Sequence, residues 1–425
     1  MRQAGTTVRH LLARGVFRRL LATRLSAQFG DGVLQAALAG TVLFNPQRAA
    51  DPVDVAAGFA VLLLPYSLVG PFAGVWLDRW SRRQVLVHAD LLRAGLVAVL
   101  ALLVAGGVAG APFLLTGLAL FSLARFVLSA LSAALPHTTD ALVPANALST
   151  TSGAVATVAG GAVAVGLQQA GGVAGDAGYA LMTLGAAAPY LLAAALAARF
   201  ARGALGPDEE SRAGRVPAAA VVAGMVAGAQ HVWARPAAVG ALAVVTVHRL
   251  CFGLVTLMTL LLFRTTFSTD QGFVPGGLAG LGVAVAAGAV GALVAAAVTP
   301  AAVRRLGTAR WVTLLLAACG PLLVAFGLPF LPWTVVVAGI VLGFVGQGVK
   351  ICVDVTLQQV VDDDVRGRVF SVYDMLVNVS YVAALLAAAY LLPPSGVSPP
   401  AVLAVGAVYA LTALWWSRWS AETVT

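Results

Sequence analysis

The chain has 425 residues, 60% of them hydrophobic and only 10% charged, and its mean hydropathy is +0.93. Soluble domains carry about 25% charged residues, so a soluble enzyme or binding module is excluded and an integral membrane protein is expected. A net charge of +9 and a pI near 10.2 would point to nucleic acid in a soluble protein. Here the basic residues lie in short loops between apolar runs, and membrane topology accounts for them without nucleic acid. The three cysteines, Cys251, Cys319 and Cys352, sit inside apolar runs and form no CxxC, so no disulfide, metal site or cofactor is expected.

Arg2, Arg9, Arg14, Arg18 and Arg19 precede an apolar run that contains Asp31. That run is too long for the h-region of a signal peptide and reads as an uncleaved first span. A spanning helix needs about 20 mostly apolar residues, and twelve segments qualify. In the first half they are residues 20–44, 55–77, 84–106, 112–135, 146–168 and 177–198. In the second they are 236–263, 276–299, 311–330, 332–357, 369–392 and 400–416. Each must satisfy its own backbone hydrogen bonds, which favours helices, and the alternating pattern of a barrel is absent. The Asn378-Val379-Ser380 sequon falls inside a span, so glycosylation is not expected.

The one long polar insertion, 199–217, divides the chain into six spans plus six. Residues 218–235 are short for a span and end in Gln230, His231 and Arg235. They read as a helix lying at the membrane interface, with a thirteenth span as the alternative. The expected organisation is a six-helix half at 1–198, a cytoplasmic linker with its interfacial helix at 199–235, and a second six-helix half at 236–425. With the N-terminus cytoplasmic, nineteen of the 26 basic residues fall in inside loops and only Arg48 and Arg264 outside. That asymmetry places both termini in the cytoplasm of a multi-pass protein of the cell (inner or plasma) membrane.

The turn between the second and third spans, GVWLDRWSRR at 74–83, is short and basic, and TPAAVRRLGTARWV at 299–312 echoes it in the second half. A 6+6 repeat with basic hairpins at matching places points to a secondary transporter. With Gly74, Asp78, Arg79, Arg82 and Arg83, the first hairpin resembles the G-x-x-x-D-R-x-G-R-R signature of the major facilitator superfamily, Ser81 standing for the second glycine. The copy keeps Gly307 and lacks the acid. The stretch VDDDVRGRVFSVYDMLVNVS at 361–380 resembles the macrolide- and siderophore-exporter branch, and Arg125 resembles the helix-four arginine of the family. Of the antiporter glycine motif of helix five, Gly153, Gly160 and Gly161 are present without its proline. The resemblance implies an all-α fold of twelve transmembrane helices in two pseudo-symmetric halves. It also implies a gate, in which Asp78 meets the start of helix eleven near Arg366 and Arg368, drawn by the partial positive charge of a helix N-terminus. Asp374, on that helix with Ser371, Asn378 and Tyr381, belongs to the same gating region.

Ionisable groups inside the bilayer are costly, by about 2.5–3.5 kcal/mol at the centre on insertion scales. Span one carries Arg24, Gln28, Asp31 and Gln35 on one helical face, with Asp31 about 16 Å into the helix. Arg125 shares a stripe with Ser122, Ser129 and Ser132 in span four. His248 and Arg249 lie near mid-depth in span seven, and Gln347, Lys350 and Asp354 in span ten. The resemblance implies that spans one, four, seven and ten line a central cavity, which makes Arg24, Gln28, Gln35, Arg125, Arg249, Gln347, Lys350 and Asp354 substrate candidates. Asp31 is the first proton-coupling candidate and His248, the side chain that titrates nearest neutrality, the second. Fixed interhelical ion pairing, for example of Asp31 with Arg125, is the competing reading. Asp90 and Arg93, one turn apart in span three, read as an intrahelical pair with no transport chemistry.

No GxxxxGK[ST], HExxH or GxSxG occurs, so no enzyme is expected and the energy source is an ion or substrate gradient. The expected function is proton-coupled export of an amphiphilic small molecule such as a drug, siderophore or secondary metabolite, with small-molecule substrate, protons and the lipid bilayer as partners and a monomeric state. Four basic side chains against Asp31 and Asp354 hint at an acidic substrate. The alternatives are an uptake symporter on the same fold and a non-transporting sensor or assembly partner.

Overall fold

The structure is a computed structural model. It describes residues 9–43, 53, 80–108, 110–139, 141–171, 175–206, 218–270, 272–362 and 365–423. These fall into two compact units that meet in the chain at Val221 and Val222. The second expected span, 55–77, lies outside the described residues, as do Gly74, Asp78 and Arg79 of the first basic hairpin.

In the first unit, α1 (Gly15–Leu38) runs into a π-helical turn, Ala39–Leu43, and is followed by α2 (Arg82–Ala105), α3 (Ala111–Ala134) and α4 (Leu142–Gly171). One further span is built from α5 (Gly175–Gly185) and α6 (Ala187–Ala198), with a break at Ala186. The linker side begins α7 (Ala218–Trp233), whose 16 residues are short for a span. The second unit continues with α8 (Pro236–Leu261), which also runs into a π-helical turn, Leu262–Thr266, and with α9 (Gly277–Leu306) and α10 (Thr308–Gly327). It closes with α11 (Pro332–Val360), α12 (Arg366–Leu391) and α13 (Pro399–Thr423). Pro236 and Pro332 open their helices, where a missing N–H leaves no hydrogen bond unmade.

Among the described residues the architecture is all-α, an integral membrane fold in two pseudo-symmetric halves that is consistent with twelve spans. Ten of the spans are described helices long and apolar enough to cross a bilayer. To these α1 adds a 24-residue helix that carries Arg24 and Asp31. The pseudo-symmetry is visible in the packing. In the first unit α1 packs on α4 and α2 on α6; at the matching places of the second, α8 packs on α12 and α10 on α13. Helices α1 and α8, at matching places of the two units, both run into a π turn.

Glycine sets the close approaches. Lipid is as apolar as a leucine side chain, so helices in a membrane associate by packing and favour small residues where backbones meet. A Cβ on Gly32 would run into the Thr157 carbonyl and one on Gly160 into the Phe29 carbonyl, which brings α4 against α1. On α11, Gly339 and Gly343 form a G-x-x-x-G step against α9, where a Cβ on Gly343 would strike the Gly288 carbonyl. The second basic hairpin is tighter than expected. Helix α9 continues to Leu306, past Arg304 and Arg305, and α10 starts at Thr308. The single connecting residue, Gly307, has φ 80° and ψ 157°, a conformation open essentially to glycine alone.

Candidate functional site

The polar stripe of α1 divides between two neighbours. Arg24, 7% exposed, donates from Nε to Gln28 Oε1 at 2.9 Å and from Nη1 to Ser149 Oγ on α4 at 3.2 Å. Gly153 on α4 leaves the space that the Gln28 side chain fills. Asp31 turns instead toward α2 and α6. Its Oδ1 accepts from Arg93 Nη2 and, at 3.0 Å, from the Tyr190 hydroxyl. Arg93 also donates from Nη1 to Asp90 Oδ1 at 2.9 Å, and its guanidinium lies 3.8 Å from the centre of the Tyr190 ring. Gly30 permits the arrangement, because a Cβ there would meet the edge of that ring at 2.6 Å. Gln35, at the end of the stripe, is exposed.

The cluster is buried. Arg93, Asp90 and Tyr190 are fully buried, Asp31 is 6% exposed, and Asp90 Oδ2 and Arg93 Nε have no hydrogen-bond partner. Two carboxylates therefore share one guanidinium, and the second Asp90 oxygen is left without a donor. The competing ion-pair reading named Arg125 as the partner of Asp31, and the structure corrects it: Arg93 on α2 takes that place, while Arg125 sits half-buried on α3. The intrahelical Asp90–Arg93 pair is present as expected, but it is half of a larger group. The signal available in the sequence was a pair of opposite charges one turn apart within an apolar span.

In the second unit a cavity of about 450 Å³ opens between α8, α9 and α11. His248, Arg249, Phe252 and Thr256 reach it from α8, Gln347 and Lys350 from α11, and Tyr381 from α12. The remaining walls are valine, leucine, alanine, methionine and glycine, with Thr259 of α8. His248 is 3% exposed, its Nδ1 is 2.8 Å from the Tyr409 hydroxyl, and its ring stacks on Phe252 at 5.9 Å. Lys350 donates to Asp354 at 2.5 Å, one turn along α11, and stands 5.9 Å from the Tyr373 ring. Asp354 itself does not line the cavity. Arg249 has the Phe252 ring 6.0 Å away, and no carboxylate among the described residues pairs with it. The cavity is thus apolar over most of its wall and cationic at one end.

The last two basic residues of the first hairpin are anchored. Arg82, 7% exposed, donates to the Ala133 carbonyl at 3.0 Å and the Leu205 carbonyl at 3.2 Å and lies 3.3 Å from His137 Nδ1. Arg83 donates to the Ala198 carbonyl at 2.7 Å. Both tie the start of α2 to the ends of α3 and α6. Arg368 lies against Gly224 and Gly228 of α7, Arg235 pairs with Asp362 at 2.7 Å, and Asp374 is exposed on α12. Arg366 opens that helix.

Residues 20–385 match the family profile described as the Major Facilitator Superfamily. Two curated relatives, described as uncharacterised MFS-type transporters of Mycobacterium tuberculosis and Mycobacterium bovis, are each 42% identical over 399 residues, covering 92% of this chain and 88% of theirs. Among solved structures, a nucleoside transporter superposes with TM-score 0.67 at 13% identity, covering 95% of this chain and 99% of its own. The xylose transporter of E. coli in an inward open conformation gives 0.58 at 14% identity, with 94% of each chain covered. At such identities these two likenesses concern the fold.

Proposed function

The chain belongs to the Major Facilitator Superfamily, and on that footing we propose that it is a secondary active transporter that exports an amphiphilic small molecule in exchange for protons, by alternating access. The observation that carries the reading is the cavity of the second unit, where an apolar wall of about 450 Å³ meets Arg249, Gln347 and Lys350 at one end. Small-molecule sites have this composition, mostly apolar with a few placed polar groups, and volumes of about 300–1,000 Å³. Export rests on the resemblance of residues 361–380 to the macrolide- and siderophore-exporter branch.

Proton coupling is assigned to Asp31. It shares Arg93 with Asp90 in a buried site, and any change that takes the guanidinium away from one carboxylate leaves a buried charge that a proton neutralises. His248 is the second candidate, held by Tyr409 at the cavity wall. The remaining parts of the reading are a monomer in the cell membrane with both termini cytoplasmic, halves at 1–198 and 236–425 joined by a linker at 199–235, and a gating role for the hairpin at 74–83.

The test is expression in an efflux-deficient bacterium challenged with antibiotics, dyes and siderophores, with a protonophore and Asp31→Asn as controls. The expected result is resistance or lowered accumulation that both controls abolish, with substrate binding to the Asp31→Asn protein retained. Accumulation that rises on expression would assign uptake instead, and proton-coupled flux that survives in Asp31→Asn would remove Asp31 from the coupling role.

A further inference from the structure

The cavity of the second unit has a length and a polarity, and both follow from how its walls pack. Helix α9 is drawn onto α11 by the glycine contacts at Gly288, Gly291, Gly339 and Gly343. Helix α8 packs on α11 and α12 but makes little contact with α9, its neighbour in sequence. The splay between α8 and α9 leaves a slot along α11. Its lining runs from Val335 to Lys350 along one helix, about 22 Å at helical rise.

The charged groups are confined to one end of that slot. Arg249 and Lys350 stand with Gln347 near the middle of α8 and α11. Beyond them, toward the start of α11, the walls are mostly apolar side chains such as Leu281, Leu323, Val335, Leu342 and Val402, with the hydroxyls of Thr256 and Thr259 on α8. Of the two cations, Lys350 already has Asp354 at 2.5 Å, whereas Arg249 has no carboxylate partner among the described residues and its buried Nε has no acceptor. A cation that no described carboxylate pairs with, at one end of a long and mostly apolar slot, is complementary to a molecule with an acidic head and a straight apolar tail. A compact, multi-ring or cationic molecule matches neither the length nor the charge.

We propose that the slot binds a single-chain amphiphile with an anionic head group, the head on Arg249 and the alkyl chain laid along α11 toward Val335. This rests on the reading above that the cavity holds the transported molecule, and it narrows the substrate class. Carboxylate and phosphate heads share the required chemistry.

The test is equilibrium binding to the purified full-length protein, with straight-chain alkanoates from octanoate to stearate as probes and alkanols and alkyltrimethylammonium ions of equal length as controls. The expected affinity rises about fourfold for each added methylene and levels off once the tail outgrows the slot. Alkanoates bind more tightly than alkanols, and the cations most weakly. Ala289→Phe, which places a ring in the slot wall, moves the levelling point to shorter chains. Arg249→Gln lowers alkanoate affinity tenfold or more and leaves alkanol affinity within twofold. Should Arg249→Gln fail to fold, the alkanoate-to-alkanol ratio of the wild-type protein reads the same charge preference. Affinity independent of chain length, or equal binding of anion and cation, overturns the proposal. Because no gradient is involved, alkanoate binding without proton-driven export sinks the exporter reading alone. Proton-driven efflux of dyes by a protein that binds no alkanoate sinks this inference alone.

Discussion

Arg93 on α2 donates to Asp31 on α1 while holding Asp90 one turn back on its own helix, and all three are buried against Tyr190. Removing one partner of a buried ion group leaves uncompensated charge, at about 3–5 kcal/mol. Arg93→Leu is therefore expected to lower stability by about that amount. The triple variant Asp31→Asn, Asp90→Asn, Arg93→Leu carries no buried charge and is expected to recover most of it. Thermal unfolding of the detergent-solubilised proteins compares the two, and a triple variant no more stable than the single one contradicts the charge argument.

Asp90 separates structural pairing from coupling. If the proton site is the whole cluster, Asp90→Asn alters proton-driven efflux as well as stability, because Arg93 then serves Asp31 alone. Proteoliposome flux measured across a pH series should show a displaced profile for Asp90→Asn and lost coupling for Asp31→Asn. An unchanged profile in Asp90→Asn confines the role to Asp31.

Gly343 and Gly32 sit where a Cβ would enter the backbone of a neighbouring helix. Gly343→Val and Gly32→Val are expected to separate α11 from α9 and α4 from α1 and to abolish monodisperse folded protein in size-exclusion chromatography. Gly282, with open space around it, is the control, and Gly282→Ala should behave as wild type.

Tyr409 fixes the His248 ring through one hydrogen bond at 2.8 Å in a buried site. Tyr409→Phe should cost about 1 kcal/mol and leave His248 free to turn within the cavity wall. A substrate affinity that shifts more than the unfolding midpoint would mark His248 as a contact of the bound molecule.

Lys350 and Asp354 are partly open to solvent, 42% and 26% of their side chains. Such a pair contributes about 0–1 kcal/mol, so Lys350→Met should fold normally. Its effect is expected on transport, and a loss of folded protein would show that the pair is structural.

The span boundaries illustrate what patterning decides. Runs of about 20 apolar residues must become helices in a bilayer, and the segments expected at 84–106 and 112–135 are α2 and α3 within a residue or two at each end. The second hairpin was less legible, because a one-residue connection depends on the φ of Gly307 and not on hydropathy. The second partner of Arg93 was not legible for a related reason. Spacing pairs it with Asp90, while its contact with Asp31 crosses between helices 62 residues apart in sequence.

The sequence by itself determined the membrane class, the repeat and which polar residues share a helical face, since each follows from composition and the period of one helix. Only the tertiary structure decided what those faces meet. A helical period leaves the rotation of the helix against its neighbours open, and that rotation is set by where glycines let backbones touch. Contacts at Gly30, Gly32 and Gly160 turn Asp31 toward Arg93, and the glycine step between α9 and α11 leaves α8 apart and opens the slot beside Arg249.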